Sequence, residues 1–264
     1  IRQGVPYIQE ILRALKIPVL YAEGYEADDV IGTLAKKAEK EGFTTYMVTP
    51  DKDFAQLVSD KIKMYRPPAN GKGVEIWGIE EVKERFEIDD PIQVIDYLGM
   101  MGDAVDNIPG LPGVGAKTAS KYIKEFGSME GLFANTDKLK GKAKEKIEEN
   151  KELGLLSKKL ATILLDAPVE FDEEDLTVCA PDIPKVTELF TELEFRRMLE
   201  TVYRIYGLDA SGIIKEAQEE ISAASQTSSN QVQTAQQSLF DFTSDQEIVP
   251  QNSAFTDIST TSHL

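Results

Sequence analysis

Three acidic clusters hold the side chains best placed for chemistry. EADD brings Glu26, Asp28 and Asp29 to the start of an apolar-periodic run. DKD sets Asp51 and Asp53 two apart after an apolar segment, and MGDAVDN sets Asp103 and Asp106 three apart. Each cluster has a plain structural reading. Acids at a helix start cap it and complement its dipole, and DKD fits a solvated turn in which Asp53 caps a short helix. Taken together they point to cations. Residues two apart in extended chain project from one face, so Asp51 and Asp53 share a site at the carboxyl edge of a sheet, where open α/β sheets bind ligands. Residues three apart are neighbours on a helical turn, and the repulsion between Asp103 and Asp106 is relieved by a divalent ion. Oxygen ligands without a histidine in the body of the chain (His263 lies near its end) select Mg²⁺ or Mn²⁺ over Zn²⁺. The chemistry that fits is phosphodiester hydrolysis with two ions about 4 Å apart.

A second constellation follows at once: IPGLPGVGAKTASKYIKEFG. Pro109 and Pro112 stiffen the approach, while Gly113 and Gly115 permit close backbone approach. A helix opening near Ala116 points free N–H groups outward, and such groups seat phosphates. Lys117, Thr118, Lys121 and Lys124 add donors and charge. This helix–hairpin–helix pattern grips a nucleic-acid backbone without reading bases. Its structural alternative is a glycine-rich interhelix turn beside a solvated lysine face.

The elements that position these groups alternate in the first part of the chain. A helix over roughly 3–16 leads to an apolar strand, PVLYA. A helix runs from Glu26 to about Glu41, TTYMVT is a second strand, and DFAQLV is a short helix. KIKMYR and VEIW read as strands around an Asn70-Gly71 turn. The alternation predicts a mostly parallel sheet covered by helices. From Ile79 to Gly207 the pattern is helical, broken by the glycine-proline loop and an extended piece near Val169. Beyond Leu208, from about 217 to 264, Ser, Thr, Gln and Asn dominate, the composition of a disordered tail.

Composition narrows the class. The chain has 264 residues, 41% hydrophobic, with no apolar run of membrane-spanning length and no signal peptide. Its single cysteine, Cys179, fits a reducing cytoplasm. The net charge of −17 argues against nucleic acid until its distribution is considered. Residues 209–264 hold eight acids and one lysine, a net −7, which leaves −10 for the body. Within that body Lys117 to Lys146 carries eight lysines against four acids. An acidic pocket for cations and a separate basic surface for phosphates is the polarity of a metal-dependent nuclease.

The strings GYEADDVIGTLAKKAEKEG, TPDKDFAQLVSD and YLGMMGDAVDNIPGLPGVGAKTASKYI resemble the 5′→3′ exonuclease domains of bacterial DNA polymerase I, within the 5′-nuclease (flap endonuclease) superfamily. The resemblance covers about residues 1–208. It implies a PIN-like α/β domain over 1–101, a helix–hairpin–helix and helical DNA-binding region over 102–208, and a linker over 209–264. It also implies a metal cluster of Glu26, Asp28, Asp29, Asp51, Asp53, Asp103 and Asp106, with Asp28, Asp51, Asp53 and Asp103 catalytic and two Mg²⁺ or Mn²⁺ ions. The hairpin carries the DNA contacts of Gly113, Val114, Gly115, Lys117, Thr118 and Lys121, often in this family with a K⁺ ion at the phosphate. Partners implied are duplex DNA with a 5′ end or flap and a polymerase domain in the same polypeptide; a cytoplasmic monomer is expected. Pro50 stands where many relatives carry glycine.

The chain starts at Ile1, inside a helical pattern, and reads as a fragment. The family's first-strand aspartate, a further aspartate and the arch over the 5′ end have no counterparts in it, so by itself it is expected to bind duplex weakly and cleave poorly. In the tail Gln236, Ser238, Leu239 and Phe240 resemble the bacterial sliding-clamp pentapeptide, a leucine and an aromatic anchor on a disordered segment; a chance Leu-Phe pair is the alternative. Two other classes of function remain: a non-catalytic duplex-binding module that uses only the hairpin, and a PIN-type ribonuclease, which the hairpin disfavours.

Overall fold

A computed structural model describes residues 4–68 and 73–208. The Asn70-Gly71 turn, the Gln236–Phe240 motif and the tail lie outside the described residues. The first compact unit runs to Val186 and the second begins at Thr187.

Helix α1 (Val5–Ala14) has proline in its first turn, where the missing N–H is harmless. Helix α2 (Ala27–Lys40) buries Val30, Thr33, Ala35 and Ala38 on one stripe and carries Asp28 and Asp29 in its first turn. Strand β1 (Thr45–Val48) follows, then a 3₁₀ helix over Lys52–Leu57, then β2 (Ile62–Arg66) and β3 (Glu75–Trp77). Helix α3 (Ile79–Phe86) and a 3₁₀ turn at Pro91–Gln93 lead into α4 (Val94–Met101). Next come α5 (Ala116–Phe126), α6 (Met129–Ala134), α7 (Gly141–Glu149), α8 (Lys151–Ala161) and α9 (Glu173–Leu176). Helix α10 (Ile183–Glu192) spans the boundary between the units, and α11 (Arg196–Ile205) lies in the second.

The sheet has the order β1-β2-β3. β1 and β2 are parallel, whereas β2 and β3 are antiparallel, as a hairpin requires. Met47, Met64 and Trp77 stand side by side in register and face the core, with at most 6% exposure. Their alternates Tyr46, Val48 and Ile76 point the other way and are exposed. The two-residue repeat of a strand therefore sorts one buried face from one open face.

One expected strand is absent. PVLYA has no strand pairing: Val19, Leu20 and Tyr21 are exposed, and only Ala22 is buried, in a small cluster with Val30, Ala167 and Val169. An apolar run becomes a strand only where a neighbour takes its backbone N–H and C=O groups, and no described strand lies beside it.

Helices α4 and α8 cross closely because Gly99 has no side chain. A Cβ there would lie 2.7 Å from the Lys158 Cα. The crossing is also pinned by charge: Lys158 Nζ lies 2.7 Å from Asp96 Oδ1 and 2.8 Å from Glu130 Oε2.

In the second unit Phe190 packs edge-on against Phe195, and the Thr187 and Tyr203 hydroxyls meet at 2.8 Å.

Candidate metal centre and nucleic-acid interface

The acidic residues arrive from three elements. Asp28 sits in the first turn of α2. Asp51 caps the 3₁₀ helix, accepting from the Asp53 amide at 3.0 Å, while its own amide donates to Thr49 Oγ1 at 3.1 Å. DKD follows the end of β1, but Asp53 stands in the 3₁₀ helix and not in extended chain, so the two-apart spacing does not set both carboxylates on one strand face. Asp51, and not Asp53, is the cap, and its carboxylate fixes the turn that carries Asp53.

Asp103 and Asp106 are not on a helix, contrary to the sequence expectation. Gly102, with φ of +76°, stops α4 after Met101. The chain then closes a narrow loop in which Asp103 N donates to Ile108 O (2.9 Å) and Ile108 N to Asp103 O (2.8 Å). Gly102 and Gly110 meet at its neck, where a Cβ on Gly110 would lie 2.6 Å from Gly102 N. Gly110 N also donates to Ser157 Oγ at 3.0 Å, tying the loop to α8.

Folding brings Asp28, Asp51, Asp53, Asp103 and Asp106 into one electrostatic field. Burial, then the charge of Asp51 and of Glu26, Asp29 and Asp106, raises the Asp28 pKa to about 6. Burial and the charge of Asp51, opposed by Lys52, raise Asp53 to about 6. Asp53 Oδ1 is buried without a hydrogen-bond partner among the described residues. Lys52, a residue the sequence reading passed over inside the DKD string, hydrogen-bonds Asp103 and lies 3.7 Å from Asp53 Oδ1. That hydrogen bond, with a second from the Val105 amide, holds Asp103 below the usual carboxylate range. Burial works to lower the Lys52 pKa, but the bond to Asp103 and the charges of Asp53, Asp103 and Asp51 carry it above the ordinary lysine value.

A buried carboxylate oxygen without a hydrogen bond, two carboxylates raised by burial and then by neighbouring charge, and an ammonium lodged among them are compatible with a hard-cation site. The donor set fits such an ion. Among the described residues, however, no three carboxylates close on a single point tightly enough to hold one.

Glu26 and Asp29 do something different from Asp28. Asp29 Oδ2 accepts from Glu26 N at 3.2 Å and Oδ1 from Leu164 N at 2.8 Å. Asp29 thus caps α2 and fastens the segment after α8 to it. Gln56 does the same for the 3₁₀ helix: its Nε2 donates to Asp53 O and Ala161 O, and its Oε1 accepts from Ile163 N. Nothing local in the sequence signals either tie, because their partners lie more than a hundred residues away.

The glycine hairpin has the form its pattern predicts. Gly113 has φ of +84°, Gly115 is the N-cap, and α5 opens at Ala116. The amides of Gly115, Ala116 and Lys117 meet no acceptor among the described residues, while those of Thr118 and Ala119 both turn back to Gly115 O at 2.9 Å. Val114 is spent on structure: its side chain is 8% exposed in the core and its N–H donates to Leu111 O. Ser120 Oγ donates to Phe86 O at 2.8 Å and seats α5 on the end of α3. Lys117, Lys121 and Lys124 line an open depression together with Glu87 and Glu125, and Lys124 pairs with Glu87 at 3.1 Å.

Residues 1–87 match the model of the 5′-3′ exonuclease N-terminal resolvase-like domain, and residues 89–184 that of the 5′-3′ exonuclease C-terminal SAM fold. DNA polymerase I of Bacillus caldotenax is 44% identical over 196 residues, which is 74% of this chain and 22% of that protein. The 5′-3′ exonuclease of Aquifex aeolicus is 39% identical over 202 residues, 76% of this chain and 67% of that protein. This chain therefore spans about a fifth of the polymerase relative and two thirds of the exonuclease. By fold it is similar to the T5 D15 protein co-crystallized with metal ions (TM-score 0.54, 23% identity, 72% of this chain and 68% of that one). It is similar also to the catalytic core of Rad2 in complex with DNA substrate (TM-score 0.53, 18% identity, 76% and 68%). The two paired domain models and the Aquifex relative establish that the chain belongs to the 5′-3′ exonuclease family.

Proposed function

We propose that this chain supplies the carboxylate cluster and the duplex grip of a 5′→3′ exonuclease and flap endonuclease that hydrolyses DNA phosphodiesters near 5′ ends. The observation that carries this reading is the mutual charge repulsion of Asp28, Asp51, Asp53, Asp103 and Asp106 from three elements, with Asp53 Oδ1 buried, without a hydrogen bond and met, among the described residues, only by the Lys52 ammonium at 3.7 Å. Asp28, Asp51, Asp53 and Asp103 would hold divalent ions, with Mg²⁺ or Mn²⁺ favoured by an all-oxygen donor set. When bound, such ions activate water and stabilise the leaving oxygen. Lys52 offsets the charge of Asp103, and the Asp51 cap fixes the backbone of Asp53. The free amides at the start of α5, with Lys117 and Lys121, hold a phosphate of the duplex. The polymerase relatives support a role in primer removal and repair, with a polymerase domain in the same polypeptide, in the bacterial cytoplasm.

A second reading, duplex binding without cleavage by this chain alone, is favoured by one observation: no three described carboxylates close on one point. Calorimetric titration of Mn²⁺ into the 264-residue chain separates the two. The nuclease reading requires saturable binding that Asp51→Ala and Asp103→Ala each abolish, together with lost cleavage when the same changes are made in the full-length protein. Unchanged binding in both variants would refute it.

A further inference from the structure

The cleft beside the carboxylates also has basic residues in its lining. It encloses about 530 Å³, and its lining includes Arg66, Trp77 and Arg85 as well as Asp51, Asp103 and Asp106. Volumes of this order are those of small-ligand pockets. Trp77 is 6% exposed, with its ring edge-on to Phe86. The Arg66 guanidinium lies over that ring at 4.0 Å, and that of Arg85 stands 5.6 Å from its centroid. The three residues come from the end of β2, the end of β3 and the last turn of α3, so the sheet and the helix built on it hold them together.

The two guanidiniums are underused. Arg66 Nη2 donates to Pro50 O at 2.9 Å, the only hydrogen bond of its side chain among the described residues. Its register partner Glu75 instead accepts from Trp77 Nε1 at 3.2 Å. Among the described residues neither arginine has a carboxylate within ion-pair distance. Lys52, the other cation of the cleft, is already bound to Asp103. A guanidinium fixed in plane by an aromatic ring and a carbonyl, with donors unspent, is pre-organised for an oxyanion. A cation–π stack alone would be stabilising, but it does not require two cations at the mouth of an acidic cleft.

We infer that Arg66 and Arg85, set around Trp77, form a phosphate-binding wall that receives the nucleotide next to the scissile bond. Phe86 and Tyr97, almost wholly buried, and the half-buried Met101 line the same cleft, and the sugar or base rests against what they leave exposed. The site holds a nucleoside monophosphate unit, as the end of a strand or as released product. The inference rests on the nuclease reading for its substrate class, yet it uses none of the proposed metal ligands.

Trp77 is the single tryptophan of the chain, so its fluorescence reports this cleft directly. The 264-residue chain is titrated in Mg²⁺ buffer with a nucleoside 5′-monophosphate, the matching nucleoside and inorganic phosphate. Expected is a saturable change with the monophosphate and none with the nucleoside, weakened about tenfold in Arg85→Ala, the loss of one charge-assisted contact. Arg85 is exposed, so this variant folds; Arg66→Lys keeps the charge but not the planar fork and weakens binding similarly. Thermal melting checks both variants. Equal responses to phosphate and nucleotide would overturn the nucleotide assignment. A nucleotide response indifferent to both substitutions, or no response from folded protein, would overturn the wall altogether. Failure of the nuclease reading would show instead in the Mn²⁺ titration, which these arginines do not affect.

Discussion

Replacing Asp53 by asparagine should make the metal-free protein more stable at neutral pH. Asp53 has 13% side-chain exposure, one oxygen without a hydrogen bond, and a pKa raised from 3.8 to about 6. A folded-state pKa above the unfolded one means that the folded state holds the proton more tightly. Stability is therefore lost as pH rises from about 4 to about 6, and the full penalty persists above that range. At 1.36 kcal/mol per pKa unit the unscreened penalty is about 3 kcal/mol; solvent screening of a partly accessible group brings it to roughly 1–2 kcal/mol. For a domain of this size that corresponds to roughly 2–8 °C in Tm. The measurement is thermal unfolding of wild type and Asp53→Asn in EDTA at pH 7.5 and pH 4. The variant should melt higher at pH 7.5, and the gain should vanish at pH 4, where wild-type Asp53 is protonated. Adding Mn²⁺ at pH 7.5 should raise the wild type more than the variant. A variant that is no more stable at pH 7.5, or whose gain survives at pH 4, would refute the account of Asp53 as a carboxylate held in an unfavourable charged state.

Lys158→Met leaves Asp96 and Glu130 without their shared cation and should cost about 2–3 kcal/mol in urea unfolding, since breaking a largely buried pair is expensive; Asp96→Asn in the same chain should restore part of it. Gly99→Ala forces a Cβ to 2.7 Å from the Lys158 Cα and should destabilise by about 1–3 kcal/mol with no change in divalent-ion affinity. Lys117→Ala and Lys121→Ala should each lower the slope of log K against log salt for duplex binding by about 0.9, measured by fluorescence anisotropy. An unchanged slope would remove that lysine from the phosphate contact.

The sequence was most legible where the signal is local. The apolar periodicity of Val30, Ile31, Leu34, Ala35 and Ala38 marks α2, although Ile31 is exposed and Thr33 is buried instead, and the apolar runs TTYMVT, KIKMYR and VEIW mark the strands. Glycines set two residues apart before a lysine-rich run mark the hairpin and the opening of α5. The acidic strings could be picked out by type and spacing alone, because carboxylates crowded within a few residues repel unless something cationic joins them. Local pattern failed where a partner had to be supplied from elsewhere. PVLYA has the composition of a strand but, among the described residues, no neighbour to pair with. Asp103 and Asp106 have helical spacing, but Gly102 turns the chain out of α4 first.

Residue types and intervals therefore marked which side chains have the chemistry proposed for a cation and for a phosphate, and that both kinds stand in one chain. Only tertiary structure decided how those side chains divide the work. Asp29 became a cap and clasp for Leu164, Asp53 a buried acid with one oxygen lacking a hydrogen bond, Lys52 the counter-charge of an aspartate 51 positions away, and Arg66, Trp77 and Arg85 part of the lining of a cleft. The reason is physical: spacing along a helix or strand fixes only the face on which a side chain stands. Its charge state and its partners depend on what the packed core brings within a few ångströms, and that is a property of the whole fold.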